Sequence, residues 1–504
     1  MRSYQNNISL NLFKYFFIMG IFFLTFTNVC FCADTGMCYE PTWDSVTRHP
    51  DPTWFADAKF GIYFHWGVYS VPAFKTEWYS HYMYVEGHAC NKHHLEKYGS
   101  LKDFGYKDFI PMFKAEKFDA DEWAELFKKS GARFAGPVAE HADGFAMWDS
   151  ELTEWNAMDM GPKRDIVGAM EKAIRKQGLK FITTFHHQWL WRWYPTDDDS
   201  TDASNPAYEG LYGPSLPESA WHYTNPKPLY SKTFQKLWHD KIIEVIDKYK
   251  PDLLWFDNKM NHIDDSYKTD FLSYYYNRAS EWGREVGVTY KKTDLEKGAG
   301  ILDLERGRMS KLTDFIWLND DSIDWNSWCD VENPDYKSTN RLIDGLVDIV
   351  SKNGNLLLNI TPRANGEIPD AVKQRLLEMG EWLKINGEAI YGSRPWQVFG
   401  EGPTKVAEGH FGERKIKEFT ASDIRFTTKD NALYAICLDW PGDKLTIKLL
   451  GSTIPFLTEK ISSIKLLGSD DKIKWLRHEN GLTLQMPQTK PCQYAYSFKI
   501  NFEN

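Results

Sequence analysis

Short apolar segments alternate with longer amphipathic segments between residues 40 and 395. The amphipathic segments repeat apolar residues at helical spacing, most clearly at 119–132, 163–177 and 232–250. The apolar segments are nearly continuous, as in strands buried on both faces of a parallel sheet; in chain order they are FGIYFH (60–65), RFAGPVAEH (133–141), LKFITTFHH (179–187), PDLLWFD (251–257), VGVTYK (286–291), GILDLE (300–305), TDFIWLND (313–320) and NLLLNI (355–360). So many strand–helix units predict an α/β fold, a (β/α)8-like TIM barrel. A doubly wound open sheet is the alternative, but no glycine-rich loop follows the first strand.

The pattern changes beyond about residue 398. Between 420 and 451 β-branched and polar residues alternate, with turn signals at Lys-Asp-Asn and Pro-Gly-Asp, and similar patterning continues to the end of the chain. This alternation predicts a C-terminal antiparallel β-sandwich over 398–504, after a barrel domain over 33–397. The sandwich would support the barrel by packing against it, and a binding module is the alternative.

The N-terminus has the pattern of an export signal. Arg2 and Lys14 precede the apolar run YFFIMGIFFLTFTNVCFC, and small residues precede a cleavage point after Cys32. We therefore predict a signal peptide over 1–32 and a secreted or periplasmic protein, lysosomal if eukaryotic, with no membrane attachment after cleavage. A retained signal-anchor helix is the alternative. The scarcity of N-x-S/T sites in the mature chain, with Asn359 alone, favours a bacterial source.

Composition narrows the classes of partner. The net charge of −10 argues against nucleic acid and anionic membranes as partners. Twenty-one tryptophans are more than a core requires, which fits a surface that stacks on sugar rings. The five cysteines after residue 32 are widely spaced without C-x-x-C, so neither a disulfide scaffold nor a structural zinc site is expected, although the count leaves room for one or two bridges. Oligomeric state stays open.

Polar side chains end several of the predicted strands. Active sites of barrel enzymes form at the carboxyl ends of their strands, so we expect these side chains to lie together. In chain order they are His65, His141, His186, His187, Asp257, Lys291 and Glu305.

Two of these residues are carboxylates that suit glycoside hydrolysis. Asp257 follows a mostly apolar strand, and Glu305 follows the next but one; such a pair supplies a nucleophile and a proton donor. The alternatives are an N-cap or ion-pair role for Asp257 and a salt bridge from Glu305 to Arg306 or Arg308. The histidines could be metal ligands, but no H-x-H or H-E-x-x-H spacing occurs, and strand-end histidines, His186 included, can instead bond sugar hydroxyls. We predict no metal and no cofactor.

The stretch 54–83 concentrates aromatic residues around two polar side chains. Its sequence, WFADAKFGIYFHWGVYSVPAFKTEWYSHYM, surrounds His65 and Glu77 with Trp, Tyr and Phe. A sugar pocket needs this combination, because C–H faces stack on rings while hydroxyls need fixed donors and acceptors. A buried strand with a core histidine is the alternative.

Several segments resemble the α-L-fucosidases of glycoside hydrolase family 29. They cover most of 50–395 and are WFADAKFGIYFHWGVYSVPA, EWY, HADGFAMWDS, PDLLWFD, LDLERGR and GLVDIVSKNGNLLLNITPRANGEIPD. The resemblance implies a barrel followed by a β-sandwich, as the pattern predicts. It also implies a retaining exo-α-L-fucosidase that acts on fucosylated oligosaccharides or polysaccharides, with sulfated fucan among the candidates. A sugar-binding barrel without turnover, or one specific for galactose, is the alternative.

The resemblance assigns roles residue by residue. Asp257 corresponds to the nucleophile, and Glu305 is the preferred acid/base with Glu296 in reserve. Lys291 stands where relatives place a basic residue near the reacting centre. The residues implied to contact the fucose ring are His65, Glu77, Trp78 and His141, with Trp255 as the apolar wall near the methyl group.

One position departs from the family pattern. Many members carry two adjacent histidines before Asp-Gly-Phe, whereas this chain reads His141-Ala142-Asp143. The change removes a donor near the sugar and could leave room for a substituted fucose.

Overall fold

Eight parallel strands close into a barrel in a computed structural model that describes residues 38–216 and 230–503. Each strand pairs with its neighbours in the chain, and β1 also pairs with β8, which closes the ring. The strands are β1 Phe60–Phe64, β2 Phe134–Glu140, β3 Lys180–Phe185, β4 Leu253–Phe256, β5 Gly287–Lys291, β6 Ile301–Asp303, β7 Trp317–Ser322 and β8 Gly354–Ile360. The predicted fold class is confirmed.

The barrel interior is packed with side chains from successive strands. Tyr63, Val138, Ile182 and Trp255 belong to one buried apolar cluster inside the ring. Gly61 is required by this packing, because a Cβ atom there would lie 2.2 Å from the ring of Phe134. The interior is therefore a solid core, and the site can form only at the ends of the strands.

Amphipathic helices cover the outside of the barrel. In the helix over 120–129 the carboxylate of Asp119 accepts from the amides of Asp121 and Glu122, and Trp123 and Phe127 face the core. The α-helices are α1 Trp43–Val46, α2 Thr53–Ala58, α3 Tyr79–Tyr82, α4 Ala89–Lys97, α5 Ala120–Lys129, α6 Ile166–Lys176, α7 Glu209–Tyr212, α8 Lys232–Tyr249, α9 Asp265–Trp282, α10 Thr339–Ser351 and α11 Asp370–Asn386.

The C-terminal region forms two antiparallel sheets around their own apolar core. A five-stranded sheet has the order β13-β16-β11-β10-β9, and a three-stranded sheet has the order β12-β15-β14. The strands are β9 Arg394–Glu401, β10 Ile424–Lys429, β11 Ala432–Cys437, β12 Lys444–Ile447, β13 Ile461–Leu466, β14 Trp475–His478, β15 Gly481–Gln485 and β16 Tyr496–Phe502. β9 crosses the boundary that we predict at 397/398, and that boundary stays a prediction.

The barrel and the C-terminal sheets share buried ion pairs. Arg425 of β10 contacts the carboxylate of Asp348 in α10 at 2.7 Å, and Lys352 contacts the same carboxylate at 2.8 Å. Their mutual attraction offsets the cost of burying these charges, and it ties the C-terminal sheet to a barrel helix.

Three further predictions concern the N-terminus, membrane attachment and disulfide bonds. The predicted signal peptide, residues 1–32, lies outside the described residues. No helix within 38–216 or 230–503 is long and apolar enough to cross a membrane. Cys90, Cys329, Cys437 and Cys492 are free thiols, so none of the bridges for which the count left room forms among these four.

Candidate active site

A cavity of about 310 Å³ opens at the carboxyl ends of the barrel strands. All nine residues predicted as catalytic or substrate-binding line it, although they come from widely separated segments. The lining residues are Tyr63, His65, Glu77, Trp78, His141, Ala142, His186, Trp189, Trp193, Trp255, Asp257, Asn258, Lys291, Lys292, Glu305, Asp320, Trp328 and Phe411.

Three histidines at the ends of β1, β2 and β3 form one side of the cavity, here called the histidine wall: His65, His141 and His186. The Oδ1 atom of Asn359 accepts from the main-chain amide of His65 at 2.9 Å and from its Nδ1 at 2.8 Å. The amide group of Asn359 is itself oriented, since its Nδ2 donates to Ser322 and to the carbonyl of Trp328. His65 therefore carries its proton on Nδ1 and presents a lone pair on Nε2, 3.3 Å from Nε2 of His186.

The histidine wall is neutral near pH 7. Burial lowers the pKa of His65 to about 3 and holds the pKa values of His141 and His186 well below their usual range. The Nδ1 atoms of His141 and His186 have no hydrogen-bond partner among the described residues. Neutral imidazoles with free nitrogen atoms can donate to and accept from sugar hydroxyls.

The same arrangement has the donor set of a metal site. One nitrogen from each of the three histidines lies within 4.8 Å of the others, and neutral imidazole is a good ligand for zinc or copper. Sugar hydroxyls and a metal ion would compete for the same lone pairs. The absence of a metal requirement stays a prediction.

Glu77 and Trp78 line the same cavity as the histidine wall. The buried Glu77 carboxylate accepts from the amide of Trp328 at 3.2 Å and from Thr76 Oγ1 at 2.9 Å. Burial raises the pKa of Glu77. The Trp78 ring packs against Trp189 and Trp193, with centroids 5.2 and 4.7 Å apart. These rings give the cavity an aromatic surface suited to the C–H faces of a sugar.

The ends of β4 to β7 form the other side of the cavity, here called the charged wall: Asp257, Lys291, Glu305 and Asp320, together with the buried Asp303, which contacts Lys291 without lining the cavity. The Lys291 ammonium lies 2.8 Å from Glu305, 3.3 Å from Asp257, 3.3 Å from Asp320 and 3.8 Å from Asp303. One cation therefore holds four carboxylates together. Trp255 belongs to the same surface, because its Nε1 donates to Asp303 at 3.0 Å and its ring lies 4.8 Å from the ammonium.

Burial and mutual repulsion shift the protonation of the charged wall. Burial alone would lower the pKa of Lys291, but the four carboxylates outweigh it and raise that pKa well above its usual range. Burial raises the pKa of Glu305; Lys291 opposes this effect and the charge of Asp257 adds to it. Burial likewise raises the pKa of Asp320, to about 6. A proton is thus available on this wall at mildly acidic pH.

Two of the alternatives for the carboxylates do not fit these contacts, whereas an ion pair does form at Asp257, which lies 3.3 Å from Lys291. Arg306 pairs with Glu413 at 2.9 Å and Arg308 lies 3.6 Å from Asp321, so neither arginine is the partner of Glu305. Asp257 precedes a short 3-10 helix whose N-cap is Lys259, so Asp257 is not the cap. The reserve candidate Glu296 is exposed and lies outside the cavity lining.

Several lining residues were missed by the sequence reasoning. Asp320 ends the predicted strand TDFIWLND, so the strand-end rule could have found it. Trp189 and Trp193 follow His186-His187 within a few residues, and their density was a usable signal. Trp328 and Phe411 lie in loops without any local signal, because only the fold brings them to the cavity.

A barrel with paired carboxylates beside a surface of aromatic rings and neutral histidines defines a glycoside hydrolase of the two-carboxylate class. The family model described as Alpha-L-fucosidase matches residues 28–388, and the Alpha-L-fucosidase C-terminal domain matches residues 417–501. The chain therefore belongs to the α-L-fucosidase family. This confirms the predicted family and enzyme class.

Individual relatives match most of the chain. The tissue α-L-fucosidase of Rattus norvegicus is 32% identical over 488 residues, covering 92% of this chain and 93% of the relative. The plasma α-L-fucosidase of Homo sapiens is 32% identical, covering 93% of each. The Thermotoga maritima α-fucosidase in complex with fucose has a TM-score of 0.72 at 29% identity, covering 92% of this chain and 100% of that one. The same enzyme with a mechanism-based inhibitor has a TM-score of 0.73 at 29% identity, covering 92% and 99%.

Proposed function

We propose that this protein is a retaining exo-α-L-fucosidase in which Asp257 is the nucleophile and Glu305 the acid/base. The observation that carries the proposal is that both carboxylates contact the same Lys291 ammonium, at 3.3 and 2.8 Å. They are therefore close neighbours, as in retaining glycosidases, where the two carboxyl groups lie about 5–5.5 Å apart. An inverting enzyme needs a wider gap to hold a water molecule between them.

The surroundings divide the two roles. Glu305 has a raised pKa because it is buried, so it can hold the proton that the leaving oxygen needs. Asp257 contacts the Lys291 ammonium and attacks the anomeric carbon as the C1–O bond breaks. Water then attacks the fucosyl–Asp257 ester and gives its proton to Glu305. Lys291 keeps the crowded carboxylates from repelling each other at each stage.

Recognition of the sugar falls to the opposite side. The neutral imidazoles of the histidine wall would donate to the ring hydroxyls and accept from them. Glu77 would act as a further acceptor. Trp78 and Trp255 offer aromatic faces. Trp255 is suited to contact the 6-deoxy methyl group, because the one polar atom of its ring, Nε1, already donates to Asp303. A galactose-specific site would need a polar group there.

The nucleophile assignment can be tested by chemical rescue. Asp257→Gly should lose hydrolysis of an aryl α-L-fucoside by about 10⁴-fold or more, because no group can form the covalent intermediate. Azide should restore turnover and yield β-L-fucosyl azide, since it attacks from the face that Asp257 occupies. Asp197→Gly, in an exposed loop, is the matched control and should keep full activity. An Asp257→Gly enzyme that is fully active without azide would refute the assignment.

We also propose that the enzyme accepts fucose with an anionic substituent, as in a sulfated fucan. Ala142 lines the cavity where many relatives carry histidine, which leaves space beside the histidine wall, and the exposed Lys292 lines the same cavity. Hydrolysis of unsubstituted and sulfated aryl fucosides should therefore be comparable. Ala142→His should lower kcat/KM about tenfold for the sulfated substrate relative to the unsubstituted one. If the unmodified enzyme hydrolyses no sulfated fucoside, the proposal that it accepts an anionic substituent is refuted, while the fucosidase mechanism stands.

Export of the protein is likewise a proposal. The N-terminal pattern of Arg2, Lys14 and an apolar run supports a cleaved signal over 1–32, and curated relatives carry the names tissue and plasma α-L-fucosidase. Mass spectrometry of the mature protein should find an N-terminus at Ala33. An intact Met1 in a membrane fraction would instead support the signal-anchor alternative.

A further inference from the structure

One side chain of the cavity comes from the C-terminal part of the chain. Phe411 lies between β9 and β10, yet it lines the cavity together with Glu305 and Lys292. The ring is 58% exposed, which is unusual for a large apolar side chain at the mouth of a polar site. Neither bond cleavage nor recognition of the fucose ring explains it.

The backbone around Phe411 is paired with the loop that carries Glu305. Main-chain amides of the 409–413 segment donate to carbonyls of the 305–308 loop in three places: Gly409 to Arg308 at 3.0 Å, Phe411 to Glu305 at 2.8 Å and Glu413 to Arg306 at 3.1 Å. In return the amide of Glu305 donates to Nδ1 of His410 at 3.1 Å. The position of Phe411 is therefore tied to that of the proposed acid/base residue.

Buried charges fix the end of this segment. The Glu413 carboxylate contacts Arg306 at 2.9 Å and also binds Lys337, and all three side chains are buried. Phe411 itself has a φ of 54°, a left-handed conformation that costs energy for a residue with a Cβ atom. The surrounding bonds hold this strained conformation, which keeps the ring beside the cavity.

We propose that Phe411 is the platform for the leaving sugar. This rests on the proposed function: when Asp257 bonds to C1, the C1–O bond breaks and the proton of Glu305 moves to the departing oxygen. The sugar that carries the fucose must then lie on the side of Glu305. Phe411, whose amide bonds to the Glu305 carbonyl, is positioned to stack on the C–H face of that ring. The C-terminal region thus contributes to aglycone specificity.

Two substrates separate this role from the chemistry itself. α-L-Fucosyl fluoride has no leaving sugar to stack, whereas a fucosylated disaccharide has one. Phe411→Ala should lower kcat/KM for the disaccharide by about 3–10-fold and change that for the fluoride by less than about twofold. Phe411→Tyr should restore disaccharide hydrolysis, because it keeps a flat ring, and Phe411→Leu should not. Every one of these residues carries a Cβ atom, so the backbone strain is the same in each variant.

The controls make each outcome decisive. Phe315→Ala removes a partly exposed phenylalanine outside the cavity lining and should leave both substrates unaffected. Equal losses on both substrates, or no loss on the disaccharide, would overturn the platform. If the unmodified enzyme hydrolyses neither compound, the proposed function itself fails, which is a different result. Fluoride turnover also reports folding, and Phe411→Leu provides a second variant if Phe411→Ala is unstable.

Discussion

On one side of the cavity three buried histidines are neutral, and on the other a single ammonium lies among four carboxylates. The histidine wall comes from the ends of β1 to β3, and the charged wall comes from the ends of β4 to β7. Both walls are buried, so desolvation acts on both. It lowers the pKa of His65 to about 3 and raises the pKa of Asp320 to about 6.

Under the proposed function, this difference separates binding from chemistry within one ring of strands. A hydroxyl needs oriented but uncharged partners, because a buried charge without a counter-charge is costly. Bond cleavage needs carboxyl groups that can gain and lose a proton, and the Lys291 ammonium offsets the repulsion between these closely spaced carboxylates. Substitutions in the charged wall should therefore impair bond cleavage, and substitutions in the histidine wall should impair binding.

The largest effect is expected from the proposed proton donor. Glu305→Gln should reduce kcat for a fucosylated disaccharide by about 10²–10⁴-fold, because the leaving oxygen departs without a proton. Fluoride leaves without being protonated, so the first step of fucosyl fluoride hydrolysis should be slowed much less. Glu296→Gln, at the exposed reserve position, is the matched control and should be silent. If Glu296→Gln lost activity and Glu305→Gln kept it, Glu296 would be the acid/base residue.

The next effect is expected from the shared cation of the charged wall. Lys291→Met should destabilise the protein by about 3–5 kcal/mol, because its removal leaves buried carboxylates uncompensated. Lys291 lowers the pKa of Glu305, so without it the basic limb of the kcat/KM profile should move to higher pH. Thermal unfolding and a pH–rate profile measure the two effects, with the exposed Lys297→Met as control. An unmoved basic limb would contradict the coupling.

The histidine wall should show a binding defect instead. His65→Leu should lower kcat/KM by about 10–100-fold, mainly through KM, since a hydroxyl of the sugar loses its partner. Asn359→Ala should reproduce part of this loss, because Asn359 fixes the tautomer of His65. Neither change should move the basic limb of the pH profile. A shift as large as that of Lys291→Met would mean that the two walls are not separate.

The sequence could predict the strand ends better than the loops. His65, His141, His186, Asp257 and Lys291 were found because closing a barrel brings every strand end to one face, a consequence of topology alone. Glu77 and Trp78 were found by aromatic density and family resemblance rather than by topology. Trp328 and Phe411 could not be found from local pattern, because their positions depend on loop packing and on pairing with 305–308.

Ion-pair partners were the other limit of the sequence reasoning. The alternative role for Glu305 is a salt bridge to Arg306 or Arg308, which lie close to it in the chain. The backbone instead turns at Arg306, whose φ is 42°, and the guanidinium reaches Glu413 of the C-terminal region. Lys291 becomes the partner of Glu305 because β5 and β6 are neighbours in the barrel. Contact across strands, not along the chain, decides these charges.

The smallest expected effect is on stability as a function of pH, where the two walls act in opposite directions. The folded pKa of His65 is depressed to about 3, so its neutral form stabilises the fold above about pH 6.5, and this stability is lost as the pH falls. Each such group changes the free energy of unfolding by at most about 1.4 kcal/mol per pH unit. The folded pKa of Asp320 is raised to about 6, so its contribution to stability is present below about pH 4 and is lost as the pH rises toward 6.

Denaturant unfolding between pH 4 and 6.5 should therefore become less acid-sensitive in His65→Leu and more acid-sensitive in Asp320→Asn, each relative to the unmodified protein. Shifts of the same sign in both variants would show that the walls titrate as one coupled unit, and that the division into a neutral side and a charged side does not hold for the folded protein.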